Sequence, residues 1–213
     1  MQENNPAREI ADPGSVKRIL AAAEVLFGEQ GFEAASMSAI AARADVSKAN
    51  IFHHFSSKNA LYLAVIANAC KEARSRIDHL EQAEGSFVER LAQFAAGHLQ
   101  GILQHSHLSR LILRDVLENG PERGQELAEQ AFGPNFAKLV EIIANGQLRG
   151  ELRKNVDPAM VAVMLIAANV YFFEARDILR HFPAVDFAEN PQHFSTKMIE
   201  VMLNGILPLE PKQ

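Results

Sequence analysis

Hydrophobic positions recur at helical spacing along almost the whole chain. Val16, Ile19, Leu20, Ala23, Leu26 and Phe27 trace one face of a helix that Asp12 and Pro13 open and Gly31 ends. Two short segments follow, about 38–44 and 47–55, separated only by Asp45 and Val46. From Ser57 a long helix carries Leu61, Val65, Ile66, Ala69, Cys70, Ala73, Ile77 and Leu80 on a single face. Ser86 opens the next helix, with Phe87, Leu91, Phe94, Ala95, His98, Ile102 and Leu103 together, and a shorter one covers about 107–119. Asn119, Gly120 and Pro121 break the chain, and a helical region reaching Gly150 is interrupted at Gly133 and Pro134. Residues 155–158 read as a turn and cap before an apolar helix over 158 to about 181, and the last helix covers about 192–206. No run of four or more residues shows period-two alternation with β-branched enrichment, so the pattern predicts an all-α fold of about nine helices.

The helix at 158–181 is apolar around its whole circumference, through Met160, Val161, Val163, Met164, Leu165, Ile166, Val170, Tyr171, Phe172 and Phe173. Such a helix must be buried on two sides: one can face its own domain and the other a second subunit, the alternative being a monomer with a thick core. The last helix, with Phe194, Met198, Ile199, Val201, Met202 and Ile206, is its natural partner. The near-continuous apolar stretch at 159–173 is shorter than the roughly 18 to 20 residues a membrane helix needs, and the N-terminus carries no basic-then-apolar leader, which points to a cytoplasmic protein without a membrane span.

Composition narrows the function. A single cysteine, Cys70, cannot form an internal disulfide or a zinc cluster and fits a reducing compartment. Among the eight histidines, His105 and His107 are two apart and His98 and His105 two turns apart, but neither they nor Asp115 and Glu118 form a ligand pattern, so no metal site is expected. There is no phosphate loop, nucleophile elbow or paired-carboxylate motif, so neither catalysis nor a cofactor is expected. The net charge of −5 argues by itself against nucleic acid.

Residues 36–55, SMSAIAARADVSKANIFHHF, reverse that conclusion. Ser38 can cap a short helix in which Ile40 and Ala41 face inward, and the small Ala41 and Ala44 let a second helix approach closely. Asp45 occupies the sharp turn, where left-handed backbone must be tolerated. Val46 plugs the angle and Ser47 caps the second helix. This is helix-turn-helix spacing, with the second helix available to the DNA major groove. Lys48, Asn50, His53 and Ala49 are expected on its outer face and Ile51 and Phe55 in the core; Asn suits bidentate contact with adenine, Lys guanine edges or phosphate. Within 43–58 the basic residues Arg43, Lys48 and Lys58 face Asp45 alone, a local +2 before His53 and His54 contribute. Backbone amides at helix starts near Ser38, Ser47 and Ser57 add phosphate-binding capacity that charge counting misses.

The run VSKANIFHHFSSKNAL, preceded by a helix ending in LFGEQGFEAASM, resembles the N-terminal domain of TetR-family transcriptional regulators. Val46, Ser47, Ile51, His54, Phe55, Ser57, Lys58 and Leu61 match the family pattern, and the motif covers about residues 13–61. Asp45, Ala49 and Phe52 stand where the family usually has Gly, Gly and Tyr; Phe52 lacks the hydroxyl that would donate to phosphate. The resemblance implies a DNA-binding domain at 1–56 and an effector-binding and dimerisation domain at 57–213. It implies DNA contacts from Ser38, Arg43, Ser47, Lys48, Asn50, Phe52, His53, His54 and Lys58. It also implies a homodimer built from the last two long helices, a palindromic operator, repression as the usual outcome, and a small effector. Inward candidates for the effector pocket are Phe94, His98, Arg110, Arg114, Phe132, Phe136, Asn169 and Phe173, which suit an apolar or aromatic molecule. Asn169 stands out because it interrupts an apolar helix, where an unpaired amide costs a few kcal/mol. Two other readings stay open: a helical enzyme or carrier with a purely structural helix-turn-helix, and a DNA-binding regulator whose core holds no ligand.

Overall fold

The computed structural model describes residues 14–206, so the Asp12–Pro13 cap lies outside the described residues. Among the described residues there are nine α-helices and no strand. They are α1 (Ser15–Gln30), α2 (Met37–Ala44), α3 (Lys48–His54), α4 (Lys58–Gln82), α5 (Phe87–Gln104), α6 (Ser106–Leu127), α7 (Gly133–Leu148), α8 (Pro158–Leu179) and α9 (Pro191–Ile206). A single π-helical turn, Ala128–Phe132, joins α6 to α7, so the interruption expected at Gly133 and Pro134 falls just before them.

Local chemistry sets most boundaries. Gly31 ends α1 at φ +84, where a side chain would strain the backbone, and its N–H donates to the Phe27 carbonyl at 2.9 Å. The start of α5 is a capping box: the Ser86 N–H donates to Glu89 Oε2 at 2.9 Å while the Glu89 N–H donates to Ser86 Oγ at 3.2 Å. α8 opens on Asp157, whose Oδ1 accepts from the Ala159 N–H at 2.8 Å, with Pro158 at the first position, where its missing N–H is harmless. Gly120, at φ +56 and ψ −131 and followed by Pro121, kinks α6.

Packing divides the helices into two compact units. The first contains the described residues up to Cys70 together with His105–Phe132, the second Lys71–Gln104 together with the described residues from Gly133 onward. These units cut across a division at residue 56, because α6 turns Leu108 and Leu111 onto the core built by α1, α2, α3 and the start of α4. That core centres on Ile19, Phe27, Ile40, Ile51, Leu61, Tyr62 and Ile66, each fully buried. Burying each aliphatic or aromatic side chain there contributes about 1.5 to 3 kcal/mol. The second core joins Ile77 and Leu80 of α4 to Leu91 of α5, Leu139 and Ile143 of α7, Leu165 of α8 and Ile199 of α9.

α8 is long and apolar enough to cross a membrane by length and composition, and a third of its most apolar stretch is buried in the fold. Its inner face carries Val161, Ala162, Leu165, Asn169, Phe172 and Phe173. Its outer face leaves Met160, Val163, Met164, Tyr171 and Ile178 each about half exposed or more.

Candidate DNA-reading head and effector pocket

The helix-turn-helix forms over the expected residues. Asp45 adopts the left-handed conformation at φ 52 and ψ 54, and the Val46 N–H donates to the Ala41 carbonyl at 3.1 Å to close the turn. Ser47 caps α3, its Oγ accepting from the Asn50 N–H at 3.1 Å, and Ser57 Oγ accepts from the Ala60 N–H at 3.0 Å at the start of α4. The first cap differs from expectation. Ser36, in extended backbone, accepts from the Ala39 N–H at 3.0 Å, whereas Ser38 is exposed in the first helical turn. Two serines two residues apart compete for the cap, and burial of Met37 at the first helical position decides for Ser36.

On α3, Lys48, Ala49, Phe52 and His53 face outward, and Lys48 Nζ lies 5.9 Å from the centre of the Phe52 ring. Phe52 is 46% exposed, an apolar ring offered to solvent on the face where a thymine methyl or a sugar would pack. Arg43 is exposed at the end of α2.

Asn50 is a correction. It is fully buried, so it cannot reach a base edge. Asn50 and His54 are one turn apart, and His54 faces α1, where its Nε2 lies 3.2 Å from Oγ of the buried Ser15. The rotation of α3 that seats Ile51 and His54 therefore carries Asn50 inward. We predict that Asn50→Ala lowers the melting temperature, since loss of a buried amide costs about 1–3 kcal/mol, and leaves the ratio of specific to non-specific DNA affinity unchanged. Thermal melts and fluorescence anisotropy measure both quantities; a relaxed base preference would return Asn50 to the reading face.

Lys58 is half-buried. Its Nζ donates to the Glu33 carbonyl at 2.9 Å and lies 4.6 Å from the centre of the Phe32 ring, so the side chain staples the turn before α2 to the start of α4. An ammonium carries three donors, and one carbonyl leaves it able to meet a phosphate as well. Arg18, which the sequence pattern did not single out, donates from Nε to the Ala44 carbonyl at 3.2 Å and ties α1 to the end of α2.

The effector candidates separate. Phe94, His98, Phe136, Asn169 and Phe173 all belong to the second unit. Arg110, Arg114 and Phe132 belong to the first and are exposed, because α6 spends its inner face on α1 through Leu108 and Leu111. Arg110 and Arg114 instead line a separate open cleft of about 270 Å³ within the first unit, with Gly28, Gly31, His107 and Leu111. Asn169, fully buried, donates from Nδ2 to the Ala95 carbonyl at 2.9 Å and to His98 Nδ1 at 3.0 Å, so the neutral His98 ring carries its proton on Nε2. Phe94 stacks on His98 at 6.1 Å between ring centres. Burial, and then the nearby Arg76 guanidinium, lower the His98 pKa to about 4. Asn169 Oδ1 is buried and accepts no hydrogen bond among the described residues.

Arg76 itself lies across Gly97 and Gly101 of α5, where a Cβ at either position would come within 3.1 Å of it. A cleft of about 290 Å³ opens between α4 and α5, lined by Arg76, His79, Leu80, Arg90, Gln93 and Phe94 among others. Sequence periodicity could not nominate Arg76 or Arg90, because an arginine on a mixed helix face looks like any solvated charge.

Comparison with known proteins agrees with this geometry. Residues 19–65 match the family described as bacterial regulatory proteins, tetR family, and residues 87–201 match the tetracyclin repressor-like C-terminal domain. The chain is 27% identical over 198 residues to the HTH-type transcriptional regulator UidR of Escherichia coli K12, covering 89% of this chain and 91% of that one. It is 51% identical over 161 residues to the HTH-type transcriptional activator FasR of Mycolicibacterium smegmatis, covering 76% and 74% respectively. The structure of Salmonella enterica GusR superposes with a TM-score of 0.73 at 26% identity, covering 91% of this chain and 96% of that one. Helix-turn-helix, two-unit helical body and both family matches agree: the chain belongs to the TetR family of bacterial transcriptional regulators.

Proposed function

We propose that this regulator binds a palindromic operator as a homodimer, represses transcription there and is released by a small effector with a mostly apolar or aromatic body. The observation that carries the DNA reading is the outer face of α3, where Lys48, Ala49, Phe52 and His53 stand clear of the core. In a dimer, two such helices must lie about 34 Å apart to enter successive major grooves. Arg43, Ser38, Ser47 and Lys58 are placed around α3 to meet the flanking phosphates, while His54 serves mainly to seat α3 against α1. Operator binding places the protein in the cytoplasm.

The outer face of α8, apolar through Met160, Met164, Tyr171 and Ile178, supports dimerisation through the last two helices, and α9 likewise exposes Val201 (75%). Phe194 of α9 is spent within the protomer, stacked on Phe172 at 4.2 Å. For the effector, Phe94, Phe136 and Phe173 supply apolar surface, and Asn169 Oδ1 and His98 Nε2 supply one acceptor and one donor. An effector with a hydroxyl or N–H satisfies the acceptor. It releases DNA only to the extent that it prefers the conformation whose α3 helices are misspaced. α4, which contributes residues to both units, is the continuous element that would carry that preference.

The relative whose name says activator favours a second reading, in which the same dimer activates. A reporter placed behind the selected operator decides between them by the sign of its response. The DNA reading is tested by selecting binding sites from a random duplex pool and titrating the winner by anisotropy across a salt series. Lys48→Ala is expected to weaken binding about tenfold and to reduce the slope of log affinity against log salt by roughly one. Failure of the wild type to bind any duplex in a salt-dependent way would leave the helix-turn-helix a structural element only.

A further inference from the structure

Arg123 lies outside every helix that would touch DNA, yet it reaches both flanks of the helix-turn-helix. It follows the Gly120 kink in α6, and its side chain is only 12% exposed. Its Nε stands 2.8 Å from Asp115 Oδ2, and its Nη1 donates to Asn59 Oδ1 at 2.7 Å and to Glu126 Oε2. The guanidinium lies over two rings, 5.3 Å from the centre of Tyr62 and 5.5 Å from that of Phe32. Phe32 belongs to the turn that leads into α2; Asn59 and Tyr62 belong to the start of α4, directly after α3. One side chain therefore grips the segment before the reading head and the segment after it.

Asp115 holds the arginine in place. It is buried, accepts from Asn119 Nδ2 at 2.7 Å, and faces the Tyr62 phenol. Burial first, and then this carboxylate, push the phenol above its ordinary range. A buried ion pair is a weak stabiliser compared with apolar side chains of similar volume. What it supplies is direction, because a planar guanidinium fixes the angle between its partners in a way that an aliphatic chain or an ammonium does not.

We propose that Arg123 is a positioning residue for operator reading: held by Asp115, it fixes Phe32, Asn59 and Tyr62 and so sets the angle at which α3 meets the major groove. The proposal rests on the DNA reading above. Its test uses a duplex selected by the wild-type protein from a random pool, a scrambled duplex of equal length, and thermal melts of the same samples. Arg123→Met is expected to weaken binding to the selected duplex about 5- to 30-fold while binding to the scrambled duplex changes by less than about twofold. Asn59→Ala, which removes the acceptor for Arg123 Nη1 and a donor to Glu126 at the edge of the cluster, gives a smaller loss in the same direction.

The double substitution Asp115→Leu with Arg123→Met separates positioning from stability. It is expected to restore the melting temperature without restoring the preference for the selected duplex, and amide exchange in α3 should stay faster than in the wild type. If Arg123→Met alone does not fold, the double variant and Asn59→Ala carry the measurement. Recovery of the preference together with the melting temperature overturns the proposal, as does an unchanged preference in both Arg123→Met and Asn59→Ala. A wild-type protein that enriches no duplex at all overturns instead the DNA reading on which the proposal stands.

Discussion

A protein carrying Met164→Glu and Tyr171→Glu is expected to sediment at 23.5 kDa, half the mass of the wild-type dimer, and to lose about 100-fold or more in operator affinity. Both residues are at least half exposed on the outer face of α8, seven positions apart and hence on one stripe with Met160 and Ile178. An exposed stripe of this kind on an isolated chain costs little locally but gains strongly by pairing, since each large apolar side chain removed from water contributes about 1.5 to 3 kcal/mol. Two carboxylates per chain would have to be desolvated to re-form that face, which no nearby cation offsets within the stripe. The inner face, with Leu165, Asn169 and Phe172, is untouched, so the protomer keeps its fold. Each half-site then binds alone, and the affinity that came from joining two α3 helices is lost. Sedimentation and anisotropy measure the two effects separately. A variant that stays at twice 23.5 kDa would move the dimer interface elsewhere.

The parts of this molecule that were legible in the sequence are those decided within a few residues. Asp45 and Val46 at the turn, Ser47 as a cap, Gly31 as a stop and the Ser86 start each depend on one or two backbone groups of near neighbours. The two-sided character of α8 was legible for a related reason, because a helix apolar all round has no place to hide half its surface. What the sequence left open depends on rotation and on distant partners. α3 has seven residues, too few for a period to fix which side faces inward, so Asn50 was expected outside although the His54–Ser15 contact turns it inside. The choice between Ser36 and Ser38 as cap rested on one buried methionine. Arg110 and Arg114 share α6 with buried leucines and were expected inward, yet which unit α6 would join was set by α1, some eighty residues earlier in the chain. Arg123 gave no signal at all: its partners lie 64 residues away at Asn59 and across a kink at Asp115.

Acidification tests the polar centre of the second unit. Between pH 7.5 and pH 4.5 the wild type is expected to lose about 2 to 3 kcal/mol more folding stability than His98→Gln. In the folded protein the His98 pKa is about 4, held down by burial and then by Arg76, whereas the unfolded chain has the ordinary value of 6.5. The unfolded state thus binds the proton more readily. The stabilisation from a neutral His98 is fully present above pH 6.5, declines as pH falls toward 4, and is gone below that. Protonation also removes the acceptor that Nδ1 offers to Asn169 Nδ2, leaving two donors facing each other in a buried setting. The amide introduced by His98→Gln keeps an acceptor oxygen within reach of Asn169 but does not titrate, so carboxylates elsewhere contribute equally to both curves and cancel in the difference. Denaturant midpoints at intervals of about half a pH unit give the two profiles. Parallel profiles through this range would mean that His98 takes up its proton without breaking the Asn169 pair, and that the pair does not define a neutral, donor-seeking effector site.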